Sequence, residues 1–375
     1  GNNECIGCTD INAQNYNNQF TIDDGSCIFG PNIISIYDQP SDQGGYVFIN
    51  WEPNSLDIIP NQIITHYSVF RYLPNQRGWE LLDEVPSNYF ADYGYVAPTI
   101  QTSIPSQDLI YNTEYFVRAH TNQQALFYDS DVVSGYSSDN LAPEISSEFS
   151  ADHNNDIIEF SWEYEHENDF SHHEINSIYH PIVNTIDTLA HIDMSSTYDE
   201  FYVTNIDFHQ NISKSNYAAV HKLHPGANLV SFSVFNENPN LETMLNSIET
   251  NVQGIIGEGV ASSLNESFGW IGSLNNISSK NGYWIKVDQE DMLIISGDKV
   301  DCEELSYELR QGLNLISFCC EQPIPLDIIP NECTAIIGEG LAATYNQNFG
   351  GWIGSLFNVK NKSVFEASAA VAGAS

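Results

Sequence analysis

A chain of 375 residues that is 42% hydrophobic can bury several cores, and its length alone fits two or three domains. Its 50 Asp and Glu stand against 11 Lys and Arg, a formal charge of −39, so phosphate backbones and anionic membranes are repelled and nucleic acid is excluded as a partner. No run of 18 apolar residues is present to span a membrane, and an aromatic content of 12%, enough to fill cores, separates this acidity from that of a disordered chain. Such a surface suits a folded, highly soluble protein in salty or calcium-bearing surroundings, where counterions screen the self-repulsion.

The chain begins at Gly1 without a basic and apolar leader, as expected of a processed product or a fragment. Seven cysteines fall in two groups, Cys5, Cys8 and Cys27 near the start and Cys302, Cys319, Cys320 and Cys333 near the end, which points to an oxidising compartment. Residues 1–30 are rich in Asn and Asp and too poor in apolar side chains to form a core. They need a staple, and Cys8 with Cys27 would close a loop worth roughly 3 kcal/mol in the chain-entropy model. Asp10, Asp23 and Asp24 could offer hard oxygen ligands to calcium; the EF-hand spacing is absent, so plain Asp-Gly and Asx turn chemistry is the competing reading. The order GCTD, NYN, DDGSC resembles the short cysteine-bracketed, aspartate-rich repeats, akin to thrombospondin type 3 repeats, of secreted surface proteins of marine bacteria. That resemblance implies that Cys5 belongs to the end of a preceding repeat and is the odd cysteine.

From residue 31 short period-2 runs separated by Pro, Gly, Asn and Asp predict an antiparallel sandwich over 31–142: NIISIYD, YVFINWE, ITHYSVFRY, WELLDEV, TEYFVRAHT and DVVSGYS. This stretch resembles a fibronectin type III domain. Trp51 falls at that fold's core tryptophan, Leu109 and Tyr115 have the spacing of its tyrosine corner, and VSGYSSDNLAPE (133–144) looks like a linker between such domains. The same grammar restarts after Pro143 and predicts a second such domain over 143–224, with Trp162 in the place of Trp51 and Phe201 in the place of Tyr115. Nine of the eleven histidines lie between His153 and His224. Neighbours such as His172 and His173 point to opposite faces of a strand and cannot share a metal ion, so the cluster is expected to lend pH-dependent charge to an acidic surface.

The last third says one thing twice. GANLVSFSVF from Gly226 recurs as GLNLISFCCE from Gly312, 86 residues on; IIGEG recurs after 81 residues and GWIGSL after 82. A period of about 80 residues is that of a small domain, giving one β module over 225–300 and another over 301–375. In the first copy Val230, Phe232 and Val234 share one face of a half-buried strand, and Leu241, Met244, Leu245 and Ile248 form a helical stripe of about two turns. NGYWIKV and MLIISG are expected to close its sheet. In the second copy, beyond Leu356, Phe365 aligns with Tyr283 but Glu366 replaces Trp284, and neither closing strand, NGYWIKV or MLIISG, is expected to have a counterpart. Its sheet is therefore expected to be left open, to be covered either by the Ala-rich tail folding back or by a strand from another chain. Two cysteine pairings, Cys302 with Cys320 or Cys319 with Cys333, are both open.

The GEG glycines imply backbone at positive φ or in close approach to another segment, and neither a P-loop nor a dinucleotide fingerprint is met. Glu258 and Glu339 are the same residue in the two copies, yet a lone carboxylate has no acid–base partner that sequence names, and a structural turn is expected. Trp270, Trp284 and Trp352 could form a sugar-stacking platform; their Ile, Leu and Gly neighbours support a core role instead. The duplicated set resembles paired C-terminal modules of large secreted proteins of marine bacteria.

Fold class is thus expected to be mainly β: a multi-domain string of small antiparallel sandwiches with two C-terminal modules, each holding at most one short helix. No nucleophile–base–acid set, H-E-x-x-H or phosphate loop is present, and the lone C-x-x-C at Cys5 and Cys8 has no second pair. The functional expectation is a non-enzymatic extracellular or cell-surface protein, an adhesive or structural rod whose partners are other surface proteins or copies of itself through the open edge. Calcium is the one candidate cofactor. The alternatives are a carbohydrate-binding accessory region of a larger secreted hydrolase, with glycans as ligands, and a viral or phage surface appendage.

Overall fold

The computed structural model describes residues 5–59, 63–301, 307–318, 324–329, 332–359 and 364–369, the last six as backbone. It is mainly β, 53% strand and 4% helical, built from antiparallel sheets. The chain divides into two compact units, Gly1–Ala142 with Phe208–Asn211, and Pro143–Asp207 with Ile212–Ser375.

In the first unit a disulfide joins Cys8 to Cys27. The sandwich beyond it packs a three-stranded sheet, in the order Asn32–Asp38, Tyr46–Glu52, Tyr93–Pro98, against a sheet ordered Gly78–Pro86, Ile64–Leu73, Thr113–Thr121, Phe127–Asp129. Alternation decides which side chains go in: Val47, Ile49 and Trp51 are fully buried on one strand, Tyr67 and Val69 on another, Tyr115, Val117 and Ala119 on a third. Trp51 stacks on Tyr93 at 5.8 Å between ring centres and meets Tyr67 edge-on at 5.9 Å. The Tyr115 hydroxyl donates to Pro98 O at 3.0 Å. DVVSGYS is strand as its alternation predicts, Val133–Gly135 pairing with Thr113–Thr121 and Ser137–Ser138 with Thr102–Ser103, so only the part of the linker-like phrase beyond Ser138 lies outside the sheets. The Asp38 carboxylate holds Ser137–Ser138 in place, accepting from Ser138 N at 2.9 Å and Ser138 Oγ at 2.7 Å.

The second unit opens with a three-stranded sheet, Ser147–Asn154, Ile157–Glu163 and Leu189–Asp193. It faces a six-stranded sheet in the order Val183–Thr185, Phe170–Ser177, Tyr198–Asp207, Ile212–Leu223, Asp291–Lys299, Val234–Phe235. MLIISG, expected to close the first repeated module, therefore extends the sandwich before it, with Leu223 opposite Asp291 and Tyr217 opposite Gly297. The cause is visible in the alternation. Ala218, Val220 and Met292 face the sandwich core, whereas Ala219, Leu223, Leu293 and Ile295 face the module core. A sheet apolar on both faces serves two layers at once, so these two bodies are fused through it.

The two repeats fold alike. The first orders its strands Gly226–Val230, Tyr283–Val287, Val252–Gly257, Val260–Asn265, Gly269–Gly272. The second runs Gly312–Ser317, Val364–Ala369, Cys333–Gly338, Leu341–Asn346, Gly351–Gly354. Val364–Ala369 thus fills the place of Tyr283–Val287, so the expectation that this closing strand has no counterpart is corrected: the gap between two strands short of neighbours takes up a segment with little apolar pattern of its own. Among the described residues nothing matches Asp291–Lys299. The helical stripe becomes Leu241–Met244 and a 3-10 turn Asn246–Ile248, with all four apolar side chains buried and Asn240 Oδ1 capping Thr243 N at 2.9 Å. Cys333 is a buried thiol outside any disulfide, its pKa pushed up by burial; Cys302, Cys319 and Cys320 lie outside the described residues.

Candidate functional site

The duplicated motifs converge on two features of the repeated modules. The first is a cleft. In each copy the G-W-I-G strand forms a hairpin with the strand before it, Trp270 opposite Leu264 and Trp352 opposite Tyr345. The closing glycine is dictated by space, since a Cβ on Gly272 would sit 2.2 Å from Ala261 O and one on Gly354 2.1 Å from Ala342 O. Trp270 is half-buried against the module core, and its other side borders a cleft of about 470 Å³ shared with Leu241, Leu245, Phe268 and Asn276. Trp352 lies in the matching cleft of the second module, about 310 Å³, with Leu326, Tyr345 and Phe357. Trp284 is not part of either. It pairs with Leu229 and Ile256, whose side chains lie on the opposite sheet face from Trp270, so the three tryptophans form two equivalent sites and one separate position.

The second feature is a reciprocal clasp between the two modules. Glu258, in the GEG turn of the first copy, accepts Leu315 N of the second at 3.1 Å through Oε2 and pairs with Arg310 through Oε1. Glu339, in the GEG turn of the second copy, accepts Leu229 N of the first at 3.0 Å and meets His224 Nε2 at 2.8 Å. Arg310 and His224 hold the same place in the repeat, 86 residues apart. Each is set by the asparagine of G-x-N-L: Asn314 Oδ1 accepts Arg310 N at 2.9 Å, and Asn228 Oδ1 accepts His224 N at 2.9 Å. Hydrogen bonding to Glu339 raises the pKa of His224. Leu229 and Leu315 lie on the outermost strands of their sheets, so each carboxylate covers an edge that would otherwise present a bare N–H. The turn reading of GEG holds for the backbone, with Gly259 and Gly340 at φ +74° and +72°. The partners of its glutamate were hidden in the sequence. Their one trace there is the basic residue recurring two positions before each G-x-N-L.

The N-terminal carboxylates are engaged by the main chain: Asp10 Oδ1 accepts Asn12 N at 2.9 Å, Asp23 Oδ1 accepts Gly25 N at 3.3 Å and Asp24 Oδ1 accepts Ser26 N at 2.9 Å. These are Asx turns, and the bonds to Ser26 lower the pKa of Asp24.

Sequence reading also missed a serine–histidine–aspartate set. Asp199, fully buried, meets His180 Nδ1 at 2.6 Å, and His180 Nε2 lies 3.1 Å from Ser195 Oγ. The distances are those of a nucleophilic triad. Yet the backbone N–H of Ser195 donates to the same Nε2 at 3.2 Å, occupying the lone pair a general base needs, and Asp199 also accepts Ile178 N at 3.1 Å and Tyr179 N at 3.3 Å. The set staples two loops around one buried carboxylate.

Fold and sites together define a multi-domain, mainly β chain with a duplicated, self-clasped C-terminal pair. No family model matches the sequence, and no curated protein matches it. Among solved structures it is similar to the FN1–FN3 domains of chicken CNTN1, at 12% identity and a TM-score of 0.22, over 50% of this chain and 64% of that one. The chain thus spans less than two thirds of that structure's length. The sandwich assignment rests on the strand pairing itself.

Proposed function

We propose that this chain is a non-enzymatic extracellular protein, an adhesive or structural element of β modules. The observation that carries this is the duplicated C-terminal module: two copies fixed to each other by Glu258 and Glu339 present the same tryptophan cleft twice, an arrangement suited to attachment at two points. The Cys8–Cys27 disulfide supports a location outside the cell, where such bonds persist. Calcium is proposed at Asp10, Asp23 and Asp24, with the Asx turns as its rival; a melting temperature indifferent to chelator removes the ion.

Partners are other surface proteins or further copies of this chain. The clasp engages Leu229 N and Leu315 N on two outer strands, and main-chain bonds from Gly282 N to Leu315 O at 3.2 Å and from Ser317 N to Lys280 O at 3.1 Å engage Gly312–Ser317 further, so among the described residues the opposite ends of the two sheets, Gly269–Gly272 and Gly351–Gly354, are the ones offered for pairing. The test is adhesion of beads coated with the full chain to cells or matrix, alongside sedimentation over a wide concentration range. Beads that adhere no better than beads coated with an unrelated acidic protein sink the adhesive reading. A chain monomeric at every concentration removes self-assembly and leaves adhesion standing.

A further inference from the structure

The chemistry lining the twin clefts is uneven in an informative way. In the first, Trp270 offers a face fixed from behind by the module core, while Asn240, Asn275, Asn276 and Glu242 supply amides and a carboxylate around it. Its walls are tied together by main-chain bonds, Leu241 N to Asn275 O at 3.1 Å and Ile277 N to Pro239 O at 2.7 Å, so the cleft is formed before any ligand arrives. At its mouth stands Phe268, 81% exposed. The second cleft keeps the tryptophan, replaces Leu264 with Tyr345, and carries its own exposed phenylalanine, Phe357 at 78%. Phe268 and Phe357 thus extend the apolar wall of each cleft beyond its tryptophan.

Charge narrows the occupant. The described lining of both clefts holds no Lys or Arg and does hold Glu242, Glu249 and Asp327, on a chain of charge −39. Sulfated, phosphorylated and carboxylated ligands are repelled. A ligand with an apolar face to stack on indole and neutral hydroxyls to bond amides and carboxylates fits both halves of the lining. We infer that the Trp270 and Trp352 clefts each bind a sugar ring of a neutral glycan, and that the clasped pair binds a repeating polymer at two points. This rests on the adhesive reading and names its ligand class.

The experiment presents the full chain to an array of neutral oligosaccharides, of their sulfated and sialylated counterparts, and of apolar peptides, followed by calorimetry on the best ligand. A neutral glycan should bind. Trp270→Ala and Trp352→Ala should each weaken it by about tenfold or more, through lost stacking and lost bivalency, and the double variant should bring it below detection. Trp284→Ala, on the other sheet face, should leave it unchanged. Trp270→Phe should restore part of the affinity, and melting temperatures verify that each variant is folded. Preference for charged glycans or for apolar peptides overturns the inference, as does neutral-glycan binding that survives in the folded double variant. Adhesion of coated beads with no neutral glycan bound overturns it while leaving the adhesive reading intact.

Discussion

Replacing Glu258 with alanine should loosen the second module from the first. Its Oε2 accepts the Leu315 amide at 3.1 Å, a charge-assisted bond of the kind worth about 1.5–3 kcal/mol. The Glu258 side chain is 26% exposed and Arg310 66% exposed, so solvent screens the ion pair to about 0–1 kcal/mol and places the hydrogen bond toward the low end of its range. The expected loss is about 2 kcal/mol, local to the C-terminal pair. At Glu339, whose side chain is 44% exposed, it is about 1 kcal/mol. Hydrogen exchange reads this where it occurs. Glu258→Ala should speed exchange in the Gly312–Ser317 strand by about 10–30-fold, and Glu339→Ala should do so more weakly in Gly226–Val230. Glu258→Gln, which keeps an acceptor and drops the charge, should fall between. Unchanged protection of Gly312–Ser317 in Glu258→Ala would refute the clasp, and uniform loss across both units would show that the variant had damaged the fold instead.

The two halves of the clasp should differ in their response to pH. His224 has a folded pKa raised above 6.5 by Glu339, so its contribution is complete below about pH 6.5 and is lost as pH climbs through the folded value. Protection of Gly226–Val230, corrected for intrinsic exchange, should fall across that window, and that of Gly312–Ser317 beside Arg310 should not; equal behaviour of the two strands would refute the assignment. Cys8→Ala with Cys27→Ala should cost the N-terminal segment about 3 kcal/mol for a closed span of 19 residues, read as faster proteolysis before residue 31. A cleavage rate unaltered by reductant and by the double variant counts against that value. Ser195 should resist fluorophosphonate labelling, because its own amide occupies His180 Nε2; stoichiometric labelling at Ser195 would reinstate a nucleophile.

Much of this was legible in the residues alone. Alternation in YVFINWE sends Val47, Ile49 and Trp51 inward whatever their partners, because successive side chains of a strand point to opposite faces. The stripe of Leu241, Met244, Leu245 and Ile248 sets a short helix for the corresponding reason. Repetition of GEG and GWIGSL required that both copies share one strand order, and a segment too polar to make a core required a staple at Cys8 and Cys27. Period says that a strand has an apolar face but not which sheet receives it, so MLIISG, apolar on both faces, was free to join the sandwich before it. VFEASA has no pattern of its own and becomes a strand because the gap between Gly312–Ser317 and Cys333–Gly338 supplies both its neighbours. The Glu258–Leu315 and Glu339–Leu229 contacts, the division of three tryptophans between two faces, and the His180–Asp199 staple join residues far apart along the chain, where no local propensity acts. Period and repetition in the residues place most of the strands and turn their apolar side chains inward; which edges meet, and what each carboxylate touches, follow from distances that exist only in the folded chain.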